Sequence, residues 1–506
     1  MKTGEPSAAK ELYRQLRDLS WDELWTVEVP RFNRASADER MKRVAVIRAV
    51  GVVFPECGPP EQEEEVRRWL RALLKDPVEK VRRYAMTALP KLGADLSDEA
   101  EMLALLQKTD NEREKRFLAG SLEKIGGAQT LAATRGILPQ TEQKTRAAVT
   151  REESPGSVLL DATLTEFKDV KIILRGRSGL ENVVRTEVEE VAREKFRVLN
   201  VSKGLVAIEP LAPFSIRDIY AVRCFGTVGF WLGTSQGPLN ELAGLMTSPT
   251  ARRLLNTFTE GTPRYRLDFV SKGHQRAAVR MLANEVYAIC PDVLNDPRSA
   301  LWAMDIHSLP EGETVELRPR LTPDPRFTYR LRDIPAASHP PLAASMARLA
   351  GRMENEVVWD PFCGSGIELV ESALRGGVRQ AYGTDLSAEA CAIARNNFAA
   401  AGIPSPAATF ICRDFRDHAK IEGLGPGSVS LIITNPPMGQ RVPIPDLRGL
   451  IADLLRVAAV ALRPGGRLIF ANPLRSECAH PGLRRQFRQV VDMGGFHCRL
   501  EHYVRD

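Results

Sequence analysis

The sequence predicts a multidomain chain in three parts: an all-helical segment over residues 1–155, an α+β region over 165–335 and a doubly wound α/β domain over 336–506. Three observations predict it. Apolar residues recur at helical spacing in the first third, and short strands interleave with helices in the middle. In the last third, apolar runs stop abruptly in polar turns, as buried parallel strands do at the edge of a sheet. A chain of 506 residues is too long for one core, so about two to four domains are expected.

In the helical segment, Asp76–Gly93 carries apolar residues at 78, 81, 85, 88, 89 and 92 and closes on a glycine. Asp110–Gly126 repeats the pattern with Leu118, Leu122 and Ile125, and Arg40–Gly51 echoes it. The Asp-Pro, Val-Arg and Ala-Leu elements resemble HEAT repeats, helix pairs whose faces are buried only by neighbouring repeats, so a short α-solenoid is expected. A generic helical bundle is the alternative. A break is expected around Ala147–Ser157, with Thr150–Gly156 as its linker.

The middle region has strand candidates at Val170–Leu174, Gly204–Ile208, Gly226–Leu232, Arg264–Val270, Ala300–Ile306 and Thr314–Leu317. Helices are expected over Leu180–Phe196 and Ala277–Ile289. Beyond Pro340, a helix at Leu342–Leu349 precedes strands at Glu356–Trp359, Gln380–Thr384, Ala408–Cys412, Ser430–Thr434 and Arg467–Asn472.

Composition sets the class. A hydrophobic fraction of 43% and a charged fraction of 26% suit a globular protein. No run approaches the roughly 18 apolar residues of a membrane span, and Met1–Pro6 lacks a secretory core, so a cytoplasmic location is expected. The cysteines at 57, 224, 290, 363, 391, 412, 478 and 498 form no Cys-x-x-Cys pair. That argues against zinc and a disulfide framework and for free, buried thiols, with no metal expected. The net charge is +6. Arginines cluster at 252, 253, 264, 266, 276 and 280, with Lys272, and again at 318, 320, 326, 330 and 332. Such clusters suit phosphate contacts or a merely solvated surface.

The chemistry lies at the strand ends. Asp360-Pro-Phe-Cys-Gly-Ser-Gly366 follows the first apolar run and precedes a helix at Ile367–Leu374. Glycines at 364 and 366 let a charged nucleoside cofactor approach the backbone near helix amides. The segment lacks the Gly-x-Gly-x-x-Gly spacing of dinucleotide folds, and Ser365 belongs to no Gly-Lys-Ser/Thr loop. Asp385 ends the next strand about 20 residues on, where an acid can accept ribose hydroxyl hydrogens. Asp414 ends the third strand and can accept from an adenine amino group or simply start a turn; Asp417 is expected to be solvent-exposed. Phe362, Ser365, Leu386 and Phe415 complete the cofactor candidates.

Thr434-Asn-Pro-Pro-Met438 is the most specific element. Two prolines at a strand end fix a turn and free the Pro436 carbonyl. That carbonyl and the Asn435 amide oxygen can each accept one hydrogen of a planar amine. Asn435, Pro436, Pro437 and Met438 are therefore the catalytic candidates, and Asn435 also borders the cofactor. Together the two strand ends predict methyl transfer from S-adenosylmethionine to an amino nitrogen, where positioning supplies most of the catalysis.

With these residues in view, the chain resembles the THUMP-domain RNA methyltransferases that form N2-methylguanosine. The resemblance rests on Ser178–Glu181, Phe327–Arg332, Pro341–Leu349, Asp360–Gly366 and Thr434–Arg441, and Leu462–Arg467 is a wider methyltransferase feature. It implies a class I methyltransferase fold at the C-terminus and a THUMP-like domain that grips structured RNA, transfer RNA first and ribosomal RNA next. Position 438 departs from the family pattern, which has an aromatic residue there. The HEAT-like segment lies outside the resemblance; a protein partner or more RNA surface would suit it. Adenine-N6 and protein-glutamine methylation use the same two acceptors, and an inactive RNA-binding scaffold is the reading from another class.

Overall fold

The computed structural model describes residues 8–273, 275–335, 337–404, 407–439, 444–475 and 477–506. In the N-terminal part, helices Ala45–Cys57, Glu79–Ala88, Glu112–Ile125 and Pro139–Glu153 pack side by side in one row. Helices Glu63–Leu73, Leu96–Lys108 and Ala128–Thr134 form a second row against it. Gly93 closes its repeat in the left-handed region, with φ +99°. Gly51 does not terminate a helix as its place in the pattern predicts. It lies inside Ala45–Cys57, where a Cβ would come 2.9 Å from the Ala88 Cβ, so its role is close helix packing. Ion pairs tie successive helices together within each row: Arg67 with Asp98 along the second and Arg82 with Glu114, at 2.6 Å, along the first.

The break expected around Ala147–Ser157 is confined to Ser154–Gly156. Helix Pro139–Glu153 runs through the first part of that range and docks on the middle domain. Gln143 donates to the Ala283 carbonyl at 3.1 Å, and Arg151 forks onto Asp296 at 2.9 and 2.8 Å.

The middle domain is one eight-stranded sheet in the order Phe196–Ser202, Leu205–Pro210, Lys171–Arg175, Thr227–Ser235, Gly312–Pro319, Trp302–Leu309, Arg264–Val270, Leu294–Asn295. The pairs are antiparallel until Arg264–Val270, which runs parallel to both its neighbours. The helix expected over Leu180–Phe196 ends at Val191, because Phe196 begins the edge strand. Pro249–Phe258 is a further helix, opened by Ser248, whose hydroxyl accepts from the Ala251 amide.

The C-terminal domain begins with α1 (Pro340–Leu349) and continues β1 (Glu356–Asp360), α2 (Ile367–Arg375), β2 (Val378–Asp385), α3 (Ala388–Ala400), β3 (Ala407–Cys412), β4 (Val429–Thr434), α4 (Leu447–Ala461), β5 (Leu462–Asn472), β6 (Leu483–Asp492) and β7 (His497–Arg505). Sheet order is β3-β2-β1-β4-β5-β7-β6, parallel except for β7, which runs antiparallel to β5 and β6. The order reverses at β1, so the ends of β1 and β4 flank a crevice.

The middle and C-terminal domains share a continuous apolar core that runs from Leu164 to Leu500. Polar contacts reinforce the seam. Arg223 forks onto Glu371 of α2 at 2.9 and 2.7 Å, and Tyr329 donates to the same carboxylate at 2.6 Å. Ser178-Gly179 lies on β6: Asp492 donates its amide to the Ser178 carbonyl at 3.0 Å, and a Cβ on Gly179 would meet the Val490 carbonyl oxygen at 2.1 Å. Close backbone packing therefore explains this glycine.

Among the described residues, no helix is long and apolar enough to cross a membrane, and no three His, Cys, Asp or Glu side chains are grouped to hold a metal ion. The eight cysteines are free thiols; contrary to expectation, Cys57 and Cys412 are exposed.

Candidate active site

β1 and β4 deliver Asp360 and Asn435 to the same end of the sheet. Asp360 is fully buried; its Oδ1 accepts from the Phe362 amide at 3.0 Å and from the Thr434 hydroxyl. Its Oδ2 is buried with no partner. Burial, with Glu368 and Asp385 nearby, pushes this carboxyl well above the ordinary range. A positive group beside it would relieve that cost, so the loop suits a cationic ligand.

The loop itself depends on glycine. Gly364 and Gly366 have φ of +50° and +81°, a region that L side chains rarely adopt. The sequence assigns both glycines to cofactor access. For Gly366 the structure gives a different reason: a Cβ there would meet the Ala394 Cβ of α3 at 2.9 Å. The Gly364 amide donates to Asp385 Oδ2 at 3.0 Å, and Ser387 donates to Oδ1 at 2.9 Å. Asp385 thus ties the loop to β2, and each of its oxygens keeps a lone pair for a ligand hydroxyl.

The other cofactor candidates divide. Leu386 is 76% exposed, an apolar side chain with nothing over it beside Asp385. Phe362 is half-buried against Phe415, with ring centroids 4.8 Å apart. Phe415 itself is buried, so it backs Phe362 rather than facing the crevice. Ser365 is buried and turns its hydroxyl to Asp333 at 3.2 Å. Asp414 caps the short turn Phe415–Lys420 through the Arg416 amide and pairs with the Arg416 guanidinium at 2.9 Å. Its local partners make the turn-forming role the observed one. Asp417 is only partly exposed as a residue, but its side chain is 46% open to solvent, and it accepts from Lys420 at 2.8 Å.

At the other strand end, Asn435 Nδ2 donates to the Ser338 hydroxyl at 2.8 Å. Ser338 in turn donates to Glu368, a buried carboxylate in the first turn of α2. Ser338 gives its one hydrogen to Glu368, so it must accept from Asn435, which fixes the amide orientation. Asn435 Oδ1 is left buried and unpartnered. A buried acceptor without a donor costs about 1–3 kcal/mol, a cost that an incoming N–H removes. Among the described residues, no N–H donates to the Pro436 carbonyl either. Pro437 and Met438 are half-buried, and Met438 packs on the main core. Gln440 and Arg441, part of the matching sequence stretch, lie outside the described residues.

Sequence reasoning missed Ser338, Glu368 and Asn397. Asn397 of α3 is fully buried; it accepts from the Leu331 amide at 3.0 Å and donates to the Arg332 and Ser365 carbonyls at 2.9 and 3.0 Å. It pins the Phe327–Arg332 strap to the loop. A polar residue on an otherwise apolar face was the only signal available.

Most of the clustered basic residues have partners within the protein, a role that the sequence does not show. Arg264 is 2% exposed and donates to the Ser154 and Pro155 carbonyls. Arg253 pairs with Asp169, Arg266 with Asp268, Lys272 with Glu313, Arg318 with Asp305, Arg330 with Asp333 and Arg332 with Glu389. Arg320 donates to the Ala300 carbonyl and Arg326 to that of Phe225. Arg276 and Arg280 are exposed.

Known proteins add to this geometry. TrmN from Thermus thermophilus superposes with a TM-score of 0.54 at 21% identity, covering 67% of this chain and 100% of its own. A possible methylase from Clostridium difficile 630 gives a TM-score of 0.50 at 16% identity, covering 66% and 98%. Both are likenesses of fold. No curated protein matches the sequence. Residues 328–497 match the UPF0020 family model, described as an RMKL-like methyltransferase domain, so the C-terminal part of this chain is a methyltransferase domain whose cofactor is S-adenosylmethionine.

Proposed function

We propose that the protein methylates the exocyclic amino nitrogen of a nucleobase in RNA, with guanine N2 of a transfer RNA as the first substrate. The observation that carries this reading is the Asn435 amide, locked through Ser338 with Oδ1 buried and unpartnered. A planar amine has two hydrogens, one for Oδ1 and one for the Pro436 carbonyl. Held this way, its nitrogen lone pair points out of the plane of the acceptors.

The bound cofactor supplies a methyl group activated by a sulfonium leaving group. Asp360 and the Gly364–Gly366 backbone would hold its charged end, Asp385 its ribose and Leu386 with Phe362 its base. Among the described residues no strong base stands at Asn435, and none is needed, because the amine proton is shed after transfer. The site asks for orientation and a dry, fixed dipole, which are large terms in catalysis.

The middle domain supports an RNA substrate through its THUMP-like sequence features. A guanine amine is buried in stacked RNA, so the base must leave its stack to reach Asn435. The continuous core between the two domains suits a rigid delivery platform. The helical rows would extend the RNA surface or hold a protein partner.

Nucleoside mass spectrometry of total transfer and ribosomal RNA, incubated with the protein and labelled S-adenosylmethionine, tests the substrate. The expected product is labelled N2-methylguanosine in transfer RNA. Label on adenine N6, label on protein glutamine, or no RNA label would contradict the proposal. Asp385→Ala is expected to weaken cofactor binding in calorimetry, because it loses the ribose acceptor and the tie to Gly364 together. An unchanged dissociation constant would mean that the ribose lies elsewhere.

A further inference from the structure

We propose that the cleft between the middle and C-terminal domains is a subsite for the nucleotide flanking the target base, with its phosphate on Arg177. The proposal rests on the RNA reading above. The cleft has a volume of about 240 Å³ and is lined by Arg175, Arg177, Leu180, Cys224, His339 and Pro341, among others. Its lining residue His339 adjoins the reacting centre in the chain, because it follows Ser338, the residue that holds the Asn435 amide.

The two arginines differ. Arg175 is neutralised by a forked pair with Glu316. Arg177 donates to the Asp492 carbonyl at 2.9 Å and, among the described residues, has no carboxylate within 4.0 Å. The Asp492 carboxylate attracts Arg177 only from beyond ion-pair distance, and a guanidinium bonded to one carbonyl has further donors in a plane that suits phosphate. The local field is positive. Partial burial, then Arg177, Arg330 and Arg326, push the His339 imidazole down to about 4. At neutral pH the ring is therefore uncharged, and it makes no side-chain cap to α1.

The rest of the lining matches the other half of a nucleotide. Leu180 and Cys224 are buried apolar walls, burial raises the Cys224 thiol well above its ordinary range so that it stays neutral, and Pro341 completes the floor. An apolar floor, a neutral imidazole and one guanidinium with no carboxylate at ion-pair distance take a flat base with a charged phosphate. A small inorganic anion would use only the guanidinium.

The test uses the full chain and one defined RNA that the wild type methylates, with kinetics across a salt series and cofactor binding by calorimetry. Arg177→Gln should raise KM for RNA severalfold, leave kcat and cofactor affinity unchanged, and flatten the slope of log affinity against log salt by about 0.7–0.9, one phosphate's share. Arg177→Lys should keep most of that slope. His339→Ala, which breaks no hydrogen bond within the protein, should raise KM without changing the slope. Wild-type KM and slope in both Arg177→Gln and His339→Ala would overturn the subsite. So would a lower Tm in both arginine variants with an unchanged slope, since Arg177 would then only tie the domains through Asp492. A wild-type protein that binds S-adenosylmethionine but methylates no RNA would overturn the RNA reading and the subsite with it.

Discussion

Asn435→Ala is expected to lower the methyl-transfer rate about 10²–10³-fold, the scale for one preorganised polar contact at a reacting centre, while cofactor affinity stays near wild type. The substitution removes the buried Oδ1 that has no protein partner and leaves Asp360, Asp385 and the glycine loop in place. Ser338→Ala should act in the same direction but less, because the acceptor remains and only its orientation is released. Single-turnover kinetics with calorimetry separates the two effects. A near-normal rate in Asn435→Ala would remove Asn435 from the chemistry.

Arg223→Ala is expected to destabilise the protein by about 3–5 kcal/mol, the cost of breaking a buried ion pair by removing one partner. Glu371 is 3% exposed in α2 and accepts two bonds from Arg223 and one from Tyr329. Without the guanidinium, the carboxylate stays buried with a single neutral donor. The same substitution frees the strap, because Arg223 also donates to the Arg326 carbonyl at 3.0 Å. Urea unfolding measures the loss. A change below about 1 kcal/mol, the range of exposed pairs, would show that the shared apolar core alone joins the domains.

Much of the catalytic sheet was legible because a buried parallel strand is a short apolar run with a polar stop. Val357-Val-Trp359 before Asp360 and Leu431-Ile-Ile433 before Thr434 have that form, and both strands end where the sequence places them, within a residue. What was not legible depends on partners far along the chain. Glu368 sits in an ordinary helical window, and only the fold sets it against Ser338, 30 residues earlier. The arginine clusters show their charge in sequence but not the carboxylates that neutralise them; Arg253 finds Asp169 only once helix Pro249–Phe258 is packed. Edge strand Phe196–Ser202 is mostly exposed, so it lacks an apolar run and was absorbed into the preceding helix. Glycines were misread for the same reason. Gly51 and Gly366 meet Ala88 and Ala394, residues whose proximity no local pattern announces.

The most direct test is a structure of the full chain with S-adenosylhomocysteine and an RNA fragment carrying the target nucleotide. The account predicts an exocyclic amine within about 2.7–3.2 Å of both Asn435 Oδ1 and the Pro436 carbonyl oxygen, with the cofactor product against Asp360–Gly366 and Asp385. An amine held by other acceptors, or a cofactor bound away from that loop, would contradict it.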